Sequence, residues 1–430
     1  MLNLTDKASL KNEFNLLNLP MVFPKSEIKY TGVSPIIEKL WYIALDDAKK
    51  NYCMDTPYGR VYAAGGYGKH ANWKGLTFNR DTCYSGLLAL NALYPKEMLT
   101  SLKIIRTYRD KLAFNCTPET ELEGIDGVQV SDISFDEFKN IYHKGSAINK
   151  TDDVVWIWCA YDLIKKNNLN EYEWLYNTAK QNFKKFYDPF FDANDGLYFG
   201  QPTFIDVGSN GYPESFGMKT KAAYNNGVWV KASSTNALYY KALTVMSETA
   251  EKLGLSNESQ NWSKRAENLK SAIRNNLRFD DGTFCYFMHK NGLLEKRREI
   301  LGTAFNVLFD IVSGADAAAA LKGYPVTAFG APLIFPFYEN DRVLHNNSAW
   351  PFADTFLLLA LEKAYSADYT DLNLQIMIND SVFGHIGEFR NMLTNQMNGA
   401  TAQLWSIAGF INTCIRANLT DLNSDKIKIY

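Results

Sequence analysis

Apolar positions recur at i, i+3, i+4 and i+7 along most of this chain, the spacing of amphipathic helices rather than of strands. The pattern predicts helices over 34–49, 81–93, 95–109, 152–167, 170–187, 229–253, 257–277, 300–313, 348–366 and 401–417. Several open on start signals: Ser34-Pro35, Thr151 before Asp152-Asp153, and Ser256 with Glu258 close behind. Others stop at residues that end helices, such as Asn167 and Gly254. Between them lie connections at 50–80, 110–150, 188–228, 278–299, 324–347 and 380–400, rich in Gly, Asn, Asp, Tyr and Pro. They are too long for simple turns, and compact domains spend such lengths on functional loops.

Tightly joined helix pairs alternate with long loops at a spacing of roughly 60–70 residues. About six such hairpins predict an all-α fold, an (α/α)6 barrel with the long loops gathered at one mouth. No strand-rich block or low-complexity linker divides the chain, so residues 34–430 read as one domain and 1–33 as an extended N-terminal arm. A helical solenoid is the alternative; its repeats would share a sequence signature, and none is visible.

At 430 residues, 46% apolar and 21% charged, the chain has the composition of a soluble globular protein. A net charge of −2 offers no footprint for nucleic acid or an anionic membrane. No apolar run reaches the ~18 residues of a membrane span. The first twenty residues mix charges with leucines and lack the apolar stretch of a signal peptide, which favours the cytoplasm. Cys53, Cys83, Cys116, Cys159, Cys285 and Cys414 show no CxxC spacing, and Cys159 and Cys414 sit in apolar helical runs as core residues. His70, His143, His289, His345 and His385 form no HxH or HxxxH pair, which disfavours zinc. Aromatics reach 14%, with 9 Trp and 25 Tyr. They fill a large core, or they line a cleft where flat rings stack on the C–H faces of sugars; composition does not separate the two.

Four segments are hard to explain by packing alone. Arg80-Asp81-Thr82 stands where a helix begins: it is a helix start with a solvated arginine, or a donor–acceptor pair for vicinal hydroxyls. Asp195-Gly196-Leu197-Tyr198 leads into Thr203-Phe204-Ile205-Asp206-Val207-Gly208. Asp206 is a lone carboxylate among apolar neighbours; it is a turn aspartate, or an acid whose pKa such neighbours raise. Tyr338-Glu339 precedes Leu344-His345-Asn346-Asn347-Ser348-Ala349-Trp350-Pro351; the proline marks a helix start and nothing more, or the polar cluster ahead of it projects into a mouth. Last, Glu388 lies in the glycine-rich stretch Gly384-His385-Ile386-Gly387-Glu388-Phe389, ahead of Gln403-Leu404-Trp405-Ser406; it is a surface glutamate, or a base open to water.

In this order the segments resemble the six-hairpin glycosidases, in particular the catalytic domain of amylo-1,6-glucosidase-type glycogen debranching enzymes. The matching pieces are Arg80-Asp81-Thr82, Phe204-Ile205-Asp206, Thr235-Asn236-Ala237-Leu238-Tyr239-Tyr240, His345 through Pro351, and Gln403 through Ala408, spanning about residues 70–418. The chain departs from that pattern at the acid, where Phe-Ile precedes Asp206, and in the helix where Ser234 or a neighbour replaces a glutamate.

The resemblance implies a glycoside hydrolase cleaving an α-linked glucoside or related oligosaccharide with inversion, without metal or organic cofactor. Asp206 matches the proton donor and Glu388 the carboxylate that activates water. Arg80, Asp81, His345, Trp350, Gln403 and Trp405 match the lining of the −1 subsite. Inversion requires the two carboxyls about 6.5–9.5 Å apart, so that water fits beside the base. Asp153 and Glu214 are rival acids. A phosphorylase on such a barrel would replace the base by a phosphate pocket, which Glu388 opposes. An epimerase would use paired histidines, for which only His345 and His385 are candidates. A non-catalytic glycan-binding barrel would bind without turnover.

Overall fold

The computed structural model describes residues 28–56, 59–65, 77–111, 154–205, 230–339 and 344–430. These residues are mostly helical. The helices are α1 (Pro35–Lys50), α2 (Asn79–Ser85, continued through a π-turn at Gly86–Leu90 into Asn91–Leu93), α3 (Pro95–Lys111), α4 (Val154–Asn167), α5 (Tyr172–Asn182), α6 (Ser233–Lys252) and α7 (Ser256–Asn276). They continue with α8 (Ile300–Leu308), α9 (Gly314–Leu321), α10 (Pro351–Tyr365), α11 (Thr370–Asn379) and α12 (Leu404–Arg416).

Local chemistry explains the boundaries. Ser34 caps α1 by accepting the Ile37 N–H, with Pro35 at the first helical position. At α7 the expected signal shifts: Leu255 is the cap residue and Ser256 already lies in the first turn. The predicted helix 300–313 stops at Leu308, because the backbone turns left-handed at Asp310 (φ 57°). The predicted helix 170–187 is α5 plus a π-turn at Phe183–Tyr187. Two helices escaped the periodicity. In α9 alanines blur the faces, and in α11 the buried Asn373, Gln375 and Asn379 interrupt the apolar stripe. Gly86 lets α2, α3 and α4 close up, since a β-carbon there would lie 2.6 Å from Met98 and 2.7 Å from Cys159.

The even-numbered helices form an inner set: each packs on the next, and α12 packs in turn on α2. The odd-numbered helices lie against them, α1 on α12 and α7 on α6 most extensively. Much of the aromatic excess fills the space within the inner set. Tyr84 of α2, Trp158 of α4, Phe305 of α8 and Phe352 and Phe356 of α10 meet at ring-centroid distances of 5.4–6.2 Å. Each such ring, withdrawn from water, contributes roughly 1.5–3 kcal/mol. Cys159 and Cys414 are buried core residues, as their apolar settings predict.

Short antiparallel strands precede the inner helices at one end. They are β1 (Met54–Thr56) with β2 (Gly59–Val61), β3 (Phe191–Asp192) with β4 (Leu197–Tyr198), β5 (Lys231–Ala232) with β6 (Phe287–Met288), and β7 (Arg298–Glu299) with β8 (Ile334–Phe335). The stretch 380–400, expected as a loop, is instead sheet. Strand β11 (His385–Asn391) pairs with β10 (Ser381–Val382), β12 (Gln396–Thr401) and β9 (Ser348–Ala349). No helix of the described residues is long and apolar enough to cross a membrane.

Candidate functional site

The site grows from the starts of the inner helices. Arg80 and Asp81 occupy the first turn of α2, which has no side-chain cap, and both are buried rather than solvated. Asp81 Oδ1 accepts a hydrogen bond from Gln403 Nε2 at 3.2 Å. Gln403 is the residue just before α12 and is held there by a bridge to Gly65. Two segments that the sequence separates by more than 300 positions thus share one carboxylate.

Beside this pair lies an aromatic cluster centred on Phe204. Its ring meets Trp350 at 4.7 Å, His345 at 4.9 Å, Phe352 at 5.0 Å and Trp405 at 5.4 Å, each edge to face. The Arg80 guanidinium sits 5.7 Å from the same ring. Trp405 is stacked on Phe352 at 4.2 Å and Trp350 on Phe389 at 5.1 Å, so each indole has one face covered; both residues are 2% exposed. The Trp350 N–H donates to the Leu344 carbonyl and the Ser348 hydroxyl, which locks the ring. The Trp405 N–H and Gln403 Oε1 are buried with no hydrogen-bond partner among the described residues. Leaving such groups unsatisfied costs about 1–3 kcal/mol, so they suit a bound polar molecule.

Phe204 holds a left-handed backbone (φ 70°), which a bulky non-glycine residue rarely adopts and which costs on the order of 1–3 kcal/mol. Its neighbours hold it there. The Thr203 N–H donates to Ser234 Oγ at 3.1 Å, Thr203 Oγ1 is 2.8 Å from the Tyr84 hydroxyl, and the Thr235 hydroxyl donates to the Gln201 carbonyl. Asp206 lies two residues further on, outside the described residues, as do Asp153 and Glu214.

Glu388 is on β11, not in a water-accessible loop, and is 3% exposed. It sits at a register shift between Gly387 and Phe389, where the ladder to β12 is interrupted. Its Oε2 accepts the Ala400 N–H at 2.6 Å. Behind it Arg390 donates to Asp380 Oδ1 at 2.7 Å and to the Asn395 carbonyl at 2.7 Å, which ties the hairpin to α11. Burial pushes the Asp380 carboxyl up to about 6, against the lowering by Arg390.

The structure therefore brings Arg80, Asp81, His345, Trp350, Gln403 and Trp405 into one neighbourhood, and Phe389, the residue after Glu388, stacks on Trp350. Other candidates serve packing. Asp195 and Asp192 both pair with Lys231, and the Asn346 amide clamps the Tyr338 backbone N–H and carbonyl. His385 is turned toward α1, where Nδ1 meets Asp47 at 2.7 Å. No cluster of three metal-ligating side chains occurs among the described residues.

Sequence reasoning missed Phe204 as the hub, Phe352 and Phe389 as covers, and Glu299. Glu299, 1% exposed, accepts the N–H groups of Leu301 at 3.0 Å and Gly302 at 2.6 Å at the start of α8. Its place just before an apolar helix was the available signal; its burial was not readable.

Residues 173–406 match the family described as the mannosylglycerate hydrolase MGH1-like glycoside hydrolase domain. No curated protein sequence matches the chain. Among solved structures, a glycosidase variant in complex with glucose is similar at 13% identity and a TM-score of 0.62, over 90% of this chain and 100% of that one. A sialidase is similar at 15% identity and 0.62, over 95% of this chain and 37% of that one. A rhamnosidase of family GH78 from Bacillus sp. GL1 is similar at 14% identity and 0.54, over 90% of this chain and 36% of that one. At such identities the likeness shows the fold, that of the helical six-hairpin glycosidases which the motif order resembles. The family match covers more than half of the sequence, and the chain belongs to the MGH1-like glycoside hydrolase domain family.

Proposed function

We propose that this glycoside hydrolase cleaves an α-linked glucoside or a related glycoside with inversion, on one (α/α)6 barrel formed by residues 34–430. Asp206 is the general acid and Glu388 the general base. Arg80, Asp81, His345, Trp350, Gln403 and Trp405 form the −1 subsite. The observation that supports this reading is the Trp350 ring. On one side it meets Phe204, two residues before Asp206; on another it stacks on Phe389, the neighbour of Glu388. Phe204 and Phe389 thus flank one aromatic wall. Inversion requires the two carboxyls about 6.5–9.5 Å apart, which leaves room for the attacking water. The contact of α12 with α2 supports barrel closure.

The family's description names a mannosylglycerate hydrolase and one structural relative holds glucose, so α-mannosides and α-glucosides are both to be assayed.

The test pairs two variants with two leaving groups. Asp206→Asn should slow glycosides with poor leaving groups far more than glycosyl fluorides, which need little protonation. Glu388→Gln should slow both by roughly 10²–10⁴-fold, since both need the water activated. NMR early in the reaction should show the inverted anomer. Retention, or a Glu388→Gln enzyme as fast as wild type, overturns the assignment.

A further inference from the structure

Glu388 lies where β11 and β12 fall out of step. Gly387 pairs with Thr401 and Phe389 with Asn398, so Gly399 and Ala400 both stand opposite Glu388 and the ladder skips it. Its placement then depends on what fixes the strand on either side. Two such bonds go to one residue, Asp380, which directly follows α11. The Asp380 carbonyl accepts the Gly387 N–H at 3.0 Å, and Asp380 Oδ1 accepts from Arg390 Nε at 2.7 Å. Glu388 is bracketed by the backbone and the side chain of the same aspartate.

The rest of the guanidinium is committed as well. Nη2 donates to the Asn379 carbonyl, and Nη1 to the Asn395 carbonyl at 2.7 Å and to Asn395 Oδ1 at 3.1 Å. The Phe329 ring centre lies 5.2 Å from its central carbon. Asn379 in turn donates to the Ala328 carbonyl at 2.7 Å, which anchors the end of α11. The Arg390 and Asp380 side chains are only 4% and 0% exposed. Such a pair adds little net stability over an apolar pair of similar volume, because both ions lose their water. What it does fix is geometry, since the guanidinium is planar and its donors point in set directions. A slip of β11 by one residue would turn Glu388 to the other face of the sheet and break these bonds together.

We propose that Asp380 and Arg390 are positioning residues for the general base: the pair locks β11 on the end of α11 so that the Glu388 carboxylate stands where it activates water. This inference rests on Glu388 being the base. Neither residue touches the substrate or moves a proton.

The experiment is a double-mutant cycle read in kcat and KM on α-glucosyl or α-mannosyl fluoride, whichever is turned over faster, with each enzyme assayed well below its own Tm. Arg390→Lys keeps the charge and removes the planar fork. Asp380→Asn keeps the carbonyl that holds Gly387 and an oxygen for Arg390, and removes the charge. Each should lose about 10- to 100-fold in kcat with KM nearly constant, the scale of a small misplacement of a catalytic group. Placed in a Glu388→Gln background, each should cost less than about threefold further, because no base remains to be misplaced. Wild-type kcat in both variants, a change in KM alone, or the same fold-loss in both backgrounds overturns the positioning role. So does a failure of both variants to fold, which would make the pair a purely structural one. If Glu388→Gln is slow and the cycle is additive, only the positioning role falls. If Glu388→Gln is as fast as wild type, the base assignment falls and this inference with it.

Discussion

Gly399 stands directly against Glu388. A β-carbon on Gly399 would overlap Glu388 Oε2, and the N–H of the next residue, Ala400, donates to that same oxygen at 2.6 Å. Gly399 also has a φ of 81°, which side chains rarely adopt. Gly399→Ala should therefore displace the carboxylate and lower kcat at least tenfold on activated and unactivated substrates alike, since a misplacement of about 1 Å can cost about 10²-fold. Steady-state kinetics with circular dichroism checks this. A folded Gly399→Ala enzyme with wild-type kcat would mean that Glu388 is not in the reaction.

Asp81 and Gln403 lock the starts of α2 and α12 through one hydrogen bond. Asp81→Ala should leave the Gln403 amide donor unmatched, at about 1–3 kcal/mol. The loss should appear in kcat/KM, with far-UV circular dichroism unchanged. Full activity on the best substrate would make the Arg80-Asp81 pair an ordinary helix start.

Burial pushes the Glu299 carboxyl up from 4.5 to about 7, although the N–H groups of Gly302 and Leu301 and the Ser234 hydroxyl pull it down. The folded state thus binds this proton more tightly than the unfolded chain. Its contribution is most favourable below about pH 4.5 and declines as pH rises to about 7. At 1.36 kcal/mol per pKa unit the change is at most about 3 kcal/mol. Glu299→Gln, which does not titrate, should gain stability relative to wild type across that window in thermal unfolding. Parallel curves for the two proteins would rule this linkage out.

His385 behaves with the opposite partner. Its hydrogen bond to the buried Asp47 carboxylate, and that charge, raise its pKa above 6.5 against desolvation and Lys50. This contribution is complete below pH 6.5 and is lost as pH rises through the raised value. His385→Gln should destabilise at about pH 6 and hardly at about pH 9; the ring is 37% exposed, so the loss is expected near or below 1 kcal/mol. Equal destabilisation at both pH values would show that packing, not charge, holds β11 to α1.

The helices were legible in the sequence because their signal is local. An apolar stripe repeats within a few residues, and Ser34-Pro35 or Arg80-Asp81 announces a helix start without any distant partner. The motif order likewise pointed to a glycosidase and to one neighbourhood for Arg80, Asp81, His345, Trp350, Gln403 and Trp405. Glu388 shows where local reading fails. Gly384, Gly387 and Gly399 have the composition of a loop, yet Arg390 and Asn391 pair with Ala349 and Ser348, about 40 positions away, and that pairing makes the segment a buried strand. Phe204 looks like any core phenylalanine until Arg80, His345, Trp350, Phe352 and Trp405 converge on it. Glu299 reads as an ordinary cap until the start of α6 packs against Gly302 and the carboxylate is buried. Periodicity is written within one turn of the chain; burial, register and the meeting of Asp81 with Gln403 exist only once segments hundreds of residues apart are packed together.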